Sequence, residues 1–254
     1  MAETDTLDKT ILYTTCGTLD PTLADLCRRW LVKSSLGIPI VSVSQKPLDF
    51  GKNVCVGDIG RSGISLDIQL HAGLEAIDTK WVMVAEHDCL YSEEHVRWTP
   101  PDEEYFYYNI NNWLLQYENL NRREWNGMYS HVQRRMVQSQ LVCSTKHYLE
   151  AMTKKLEIEL DPRWSEVYPS GRIAEPGCTD FGRAMRLLRN RSGIRHMRKK
   201  VLSYLASYKA LGFRTVIPNI DIRHGANYTG HRRGRCRCYT LDPWGTMEDI
   251  INAC

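Results

Sequence analysis

Lys9 to Cys16 reads KTILYTTC, a β-rich apolar run with a polar close, and predicts a short buried strand. Asp20 followed by Pro21 predicts a helix start, with Asp20 as N-cap and Pro21 at the first helical position. Leu23, Leu26, Trp30 and Leu31 recur near helical spacing to about Lys33, and Gly37 ends the run. Ile38 to Ser44 (IPIVSVS) predicts a second strand. Residues 45–63, with Gly51, Gly57, Gly60 and Gly63 among polar residues, predict a loop. Leu66, Leu70, Gly73, Leu74 and Ile77 share one side of a helix expected over Ile64 to Ile77. Trp81 to Ala85 (WVMVA) is a continuous apolar run, the signature of a strand covered on both faces. Strand, helix, strand, helix, strand is the pattern of an α/β fold with a parallel sheet wound by helices.

Pro100 and Pro101 break the pattern. Tyr105 to Tyr117 carries strand and then helix character, and residues 120–135 are polar. Val137 to Ser144 predicts a strand, and Thr145 to about Lys155 a helix. Residues 161–179 read as a Pro- and Gly-rich loop, followed by helices over Thr179 to Arg189 and Ile194 to Leu211. Thr215 to Ile222 (TVIPNIDI) predicts a late strand, and residues 223–238 are rich in Gly and Arg.

Composition adds an asymmetry. The net charge of +3 divides into an acidic part, residues 1–110 with 9 Lys/Arg against 17 Asp/Glu, and a basic part, residues 111–254 with 24 against 13. Residues 181–214 hold ten basic residues and no acidic one. The basic part is expected either to face a polyanion or to form a solvated helix face. The nine cysteines form no zinc-ribbon spacing, since Cys236-Arg-Cys238 stands without a partner pair, so most are expected to be reduced. No run of apolar residues is long enough to span a membrane, and the polar, acidic start differs from a signal peptide. A cytoplasmic protein without a membrane partner is the expectation.

The chemistry concentrates where the buried strand ends in Glu86-His87-Asp88. Ligands of open parallel sheets bind outside the carboxyl ends of the strands. Two carboxylates one residue apart at such an end can hold Mn2+ or Mg2+, which bridges substrate phosphates. A second strand end lies at Asp221-Ile222-Arg223-His224-Gly225, where His224 offers a further ligand.

These segments, with Ile11 to Cys16 and Gly60-Arg61-Ser62-Gly63 leading into the helix, resemble the GT-A glycosyltransferases. The resemblance covers residues 9–90 well and 215–230 loosely. It implies a mostly parallel, twisted central sheet flanked by helices, in one domain over residues 1–254. About 1–100 would bind metal and nucleotide-sugar, and about 101–254 the acceptor. Implied donor contacts, with a UDP-sugar as donor, are Thr14, Thr15, Cys16, Arg61, Ser62, Gln69, Glu86 and His87. Implied metal ligands are Asp88, His224 and Glu86. Glu86 stands where the family's motif has its first Asp, a departure from the pattern that Asp88 keeps.

An inverting transferase needs a general base near the acceptor hydroxyl. The family places one on a loop and helix start after the metal motif, which here corresponds to Glu175 or Asp180. Residues 221–230 also look like a segment of small bacteriophage glycosyltransferases, some of which resemble enzymes that glycosylate hydroxymethylated pyrimidines in DNA. On that likeness the partner is DNA with a modified base. Arg195, Arg198, Lys199, Lys200, Arg232, Arg233 and Arg235 would grip its phosphates, and Tyr228, Tyr239 and Trp244 would stack on a displaced base. The alternatives are a transferase acting on a glycan, lipid-linked or protein acceptor, and a nucleic-acid-binding protein without catalysis.

Overall fold

A computed structural model describes residues 8–117, 126–131, 136–167, 173, 175–177, 195–225 and 236–253. The first half runs β1 (Lys9–Thr15), α1 (Pro21–Ser35), β2 (Ile40–Ser44), β3 (Lys52–Cys55), α2 (Gly63–Leu74) and β4 (Trp81–Glu86), followed by β5 (Cys89–Leu90) and α3 (Glu93–Arg97). Next come β6 (Tyr105–Asn109), β7 (Asn112–Gln116), β8 (Tyr129–His131), a 3-10 turn (Gln138–Gln140), β9 (Leu141–Ser144), α4 (Thr145–Glu159) and α5 (Pro162–Val167). The last described elements are α6 (Arg195–Ser207), β10 (Lys209–Phe213), β11 (Asn219–Arg223), β12 (Cys236–Cys238) and α7 (Met247–Asn252).

The main sheet has seven strands in the order β10-β6-β9-β4-β1-β2-β3. Only β9 runs against its neighbours, so the expected mostly parallel central sheet flanked by helices is what the chain forms. Alternation along the central strands explains why both faces are covered. Leu12, Val82 and Val84 enter a core shared with Leu70 and Leu74 of α2 and Met152 of α4. Ile11, Tyr13, Met83 and Ala85 enter a second core with Leu31 of α1 and Val96 of α3. Each Leu, Ile, Val or Met side chain among these, fully removed from water, contributes about 1.5–3 kcal/mol. Asp20 caps α1 as its sequence position predicts, accepting from the Thr22 and Leu23 N–H groups, with Pro21 at the first turn.

A five-stranded sheet, β12-β8-β7-β11-β5, lies beside this frame. Its apolar side packs with Leu23 and Leu26 of α1 and Ile250 of α7. Four sequence expectations change; in one, the loop expected over 161–179 contains the helix α5. Asn112 to Gln116 is a strand rather than part of a helix, because it pairs with β8 and β11. The basic helix ends at Ser207, and Lys209 to Phe213 instead forms a parallel edge strand on β6. The loop expected over 45–63 contains β3, whose weak apolar content hides it; Asn53 ties it to β2 through the Ser42 and Ser44 side chains. The helix expected over Thr179 to Arg189 lies outside the described residues. No disulfide joins the seven cysteines among the described residues. No helix among those residues is long and apolar enough to cross a membrane.

Gly73 brings α2 close to the sheet: a Cβ there would overlap Leu12 Cδ1 and Val43 Cγ2. Gly73→Val is therefore expected to cost about 1–3 kcal/mol through overpacking, read as a lowered urea midpoint.

Candidate metal and nucleotide site

The carboxyl ends of β1 and β4 lie side by side, with Thr14 opposite Glu86 in the parallel register. Next to them is a cavity of about 340 Å³. Thr14, Thr15 and Cys16 line it from the end of β1 and the residue after it, Gly60 to Gly63, Ser65, Leu66 and Gln69 from α2 and the loop before it, and Glu86, His87 and Asp88 from the end of β4 and the turn after it. Gln69, although polar, is buried: its amide donates to the Thr15 carbonyl at 2.8 Å and the Val43 carbonyl at 3.3 Å, which ties α2 to two strand ends. Ser62 caps α2 by accepting from the Ser65 N–H, and the Ser65 hydroxyl donates to the Ile59 carbonyl at 3.0 Å. Arg61 and Ser62 are exposed at the mouth.

His224 arrives from far along the chain. The two residues of β5 pair antiparallel with β11, and the Ile222 N–H donates to the Asp88 carbonyl at 2.8 Å. This places His224 Nε2 3.5 Å from Asp88 Oδ2. His87, Asp88 and His224 form a cluster whose potential ligand atoms all lie within 4.8 Å of one another. Two imidazoles and one carboxylate are a chemically competent donor set for a divalent transition ion. Glu86 lines the same cavity but stands outside this trio.

The electrostatics favour an ionised Asp88 beside a neutral His87 ring. Burial alone would raise Asp88, but the His224 hydrogen bond, with the nearby His87 and Arg223, outweighs it and holds the carboxyl below its usual range. Burial lowers His87 and keeps its ring neutral. Both effects cannot draw on a protonated His87; the neutral ring is the consistent state, which leaves His224 and Arg223 as the partners that keep Asp88 charged. Arg223 is itself paired with Asp221 at 2.6 Å, both buried, on the floor of the cavity.

The opposite wall was not legible as a site. Val137, Gln138 and Ser139 line it from the 3-10 turn before β9. The available signal was a polar Gln-Ser-Gln inside a segment otherwise reading as a strand; all three are buried. Glu175 also lines the cavity, its segment anchored where the Tyr108 hydroxyl donates to the Pro176 carbonyl at 3.0 Å. Asp180 lies outside the described residues, as do Arg232, Arg233 and Arg235. Arg198, Lys199 and Lys200 lie on α6; Lys199 and Lys200 are exposed, while Met197, Val201 and Tyr204 face the core. Arg195 opens the same helix. The aromatic stacking expected of Trp244 is corrected: it is 8% exposed, packs on Trp30, and donates its indole N–H to the Pro218 carbonyl at 2.8 Å. Tyr239 is exposed, and Tyr228 lies outside the described residues.

No protein-family model matches the chain, and no curated protein matches it. A solved glycosyltransferase involved in glycosylation of the major capsid of PBCV-1 is similar over 84% of this chain and 91% of that one, at 9% identity and TM-score 0.44. A mannosyltransferase from Pyrobaculum calidifontis, solved in complex with GDP-Man and Mn2+, is similar over 87% of this chain and 58% of that one, at 11% identity and TM-score 0.41. The bifunctional IspDF from Campylobacter jejuni is similar over 82% of this chain, which spans 49% of that one, at 11% identity and TM-score 0.38. These likenesses assign no activity to this chain.

Proposed function

We propose that the chain is a divalent-metal-dependent glycosyltransferase of the GT-A type, moving a sugar from a UDP-sugar to an acceptor hydroxyl on a 5-hydroxymethylated pyrimidine in DNA. One observation carries the reading: His87, Asp88 and His224 meet in a cavity that also receives the carboxyl end of β1 and the first turn of α2. That combination offers an ion site beside a place for a nucleotide and its phosphates. A bound Mn2+ or Mg2+, held by Asp88 and His224, supplies neutralisation of the charge that develops on the β-phosphate. Thr14, Thr15 and Cys16 present the strand end to the base and ribose. Arg61, with the first N–H groups of α2, faces the diphosphate. In an inverting transfer the acceptor oxygen attacks the anomeric carbon, the bond to the UDP oxygen breaks, and Glu175 takes the hydroxyl proton. The exposed Lys199 and Lys200 and the unbalanced positive charge of residues 181–214 support a polyanionic acceptor.

The test is direct. The protein is incubated with Mn2+ and a panel of UDP-sugars, with and without DNA containing hydroxymethylcytosine, and the digested nucleosides are weighed. A mass gain of one hexose or pentose on the modified base is expected. UDP release only with glycan, lipid-linked or protein acceptors would remove DNA from the reading, and no UDP release with any acceptor would remove the transferase. In the active system, Glu175→Gln is expected to lower kcat about 10²–10⁴-fold while leaving the KM for the donor nearly unchanged, measured as UDP released.

A further inference from the structure

We infer that His87 is itself a metal ligand, so that the site is a two-histidine, one-carboxylate centre that takes a Mn2+-like transition ion ahead of Mg2+ and holds it before any nucleotide arrives. The functional use of this centre rests on the transferase reading above; the binding of the ion does not. Ligand atoms of one ion stand within roughly 4.5 Å of each other, twice a bond of about 2.0–2.2 Å. The nitrogen and oxygen atoms offered by His87, Asp88 and His224 lie within 4.8 Å of one another, so small side-chain rotations bring all three onto one ion.

The orientation of the His87 ring supports the same assignment. Thr15 Oγ1 is 2.8 Å from His87 Nδ1 and also accepts the Gly17 N–H at 3.1 Å. In the tautomer that carries its proton on Nδ1, the Thr15 hydroxyl oxygen receives that proton and Nε2 keeps a lone pair. Such an outer partner is the usual companion of a ligating histidine. Thr15 sits on β1, so the same strand end that faces the nucleotide also aims the ring. Imidazole nitrogen suits transition ions, whereas Mg2+ seeks oxygen ligands and is commonly held by one or two carboxylates plus substrate phosphates. Three protein ligands, two of them nitrogen, remove the need for the diphosphate to complete the site.

The test uses the full chain, stripped with a chelator and reloaded with Mn2+ in the absence of nucleotide. Pulsed EPR is expected to detect couplings to two imidazole nitrogens in the unaltered protein, a readout that needs no variant to fold. An approximately 100-fold excess of Mg2+ is expected to leave most of the Mn2+ bound. His87→Gln should retain one nitrogen coupling and bind Mn2+ about 10–100-fold more weakly. A single nitrogen in the unaltered protein, or equal displacement by Mg2+, would overturn the inference. Turnover of a UDP-sugar with Mg2+ by a single-nitrogen protein would sink this centre and leave the transferase standing. Two couplings with no turnover of any UDP-sugar would leave the centre and sink the transferase.

Discussion

Asp88→Asn is expected to lower sugar transfer about 10³-fold or more while leaving the fold intact. The substitution keeps the volume and the backbone, including the Asp88 carbonyl that accepts from Ile222. It removes the one charged donor of the His-Asp-His cluster. Arg223 keeps Asp221 as its partner at 2.6 Å, so no unpaired buried cation results. Turnover measured as UDP release, beside a circular-dichroism melt, separates the two effects. Activity above a tenth of the original with a normal melt would take Asp88 out of the reaction.

The second large effect concerns stability. Lys155 on α4 lies 2.9 Å from Asp67 on α2 and 3.9 Å from Glu159, and all three side chains are fully buried. Lys155→Ala would remove the cation beside the buried Asp67 carboxylate and is expected to cost about 3–5 kcal/mol. Glu159 modulates this through its proton. Burial, reinforced by the Asp67 charge and opposed by Lys155, pushes its carboxyl up to about 8. At neutral pH Glu159 is therefore held as the neutral acid, accepting the Ile173 N–H at 2.6 Å. Because the folded value lies above the unfolded one, this contribution is complete below the ordinary carboxyl range, near 4.5, and is lost as pH rises toward 8. Urea midpoints should fall across that window. Glu159→Gln retains an acceptor for Ile173 and has no proton to lose, so its midpoints should stay level there; a slope equal to that of the parent protein would place the titration elsewhere. The trio bears on the site because it fixes α2, which carries Ser62 and Gln69 to the cavity, against α4.

Central strands were readable because both of their faces are apolar. Lys9 to Cys16 and Trp81 to Ala85 have no stable place except a covered sheet, and the Asp20-Pro21 start of α1 is set by local capping. Edge and secondary strands were less readable. The ladders of β7 and β10 form with partners distant in sequence, and such pairing overrides local preference, whereas β3 joins the neighbouring β2 but carries too few apolar residues to be read as a strand. Asp67, Lys155 and Glu159 gave no sign of forming one group, since helical spacing relates only the last two.

Acidic and imidazole residues at two strand ends were visible in the chain, and so was the region of the cavity, because parallel sheets open at their carboxyl ends. What the chain order left open was which of those side chains meet. Only the pairing of two-residue β5 with β11 brings His224 to Asp88, across more than a hundred residues. Only the β1 to β4 register sets Thr15 beside His87. Local pattern determines which segments are buried, because burial depends on side-chain chemistry at short period. Tertiary contact decides the donor set, because a ligand cluster depends on distances that no short period in the sequence encodes.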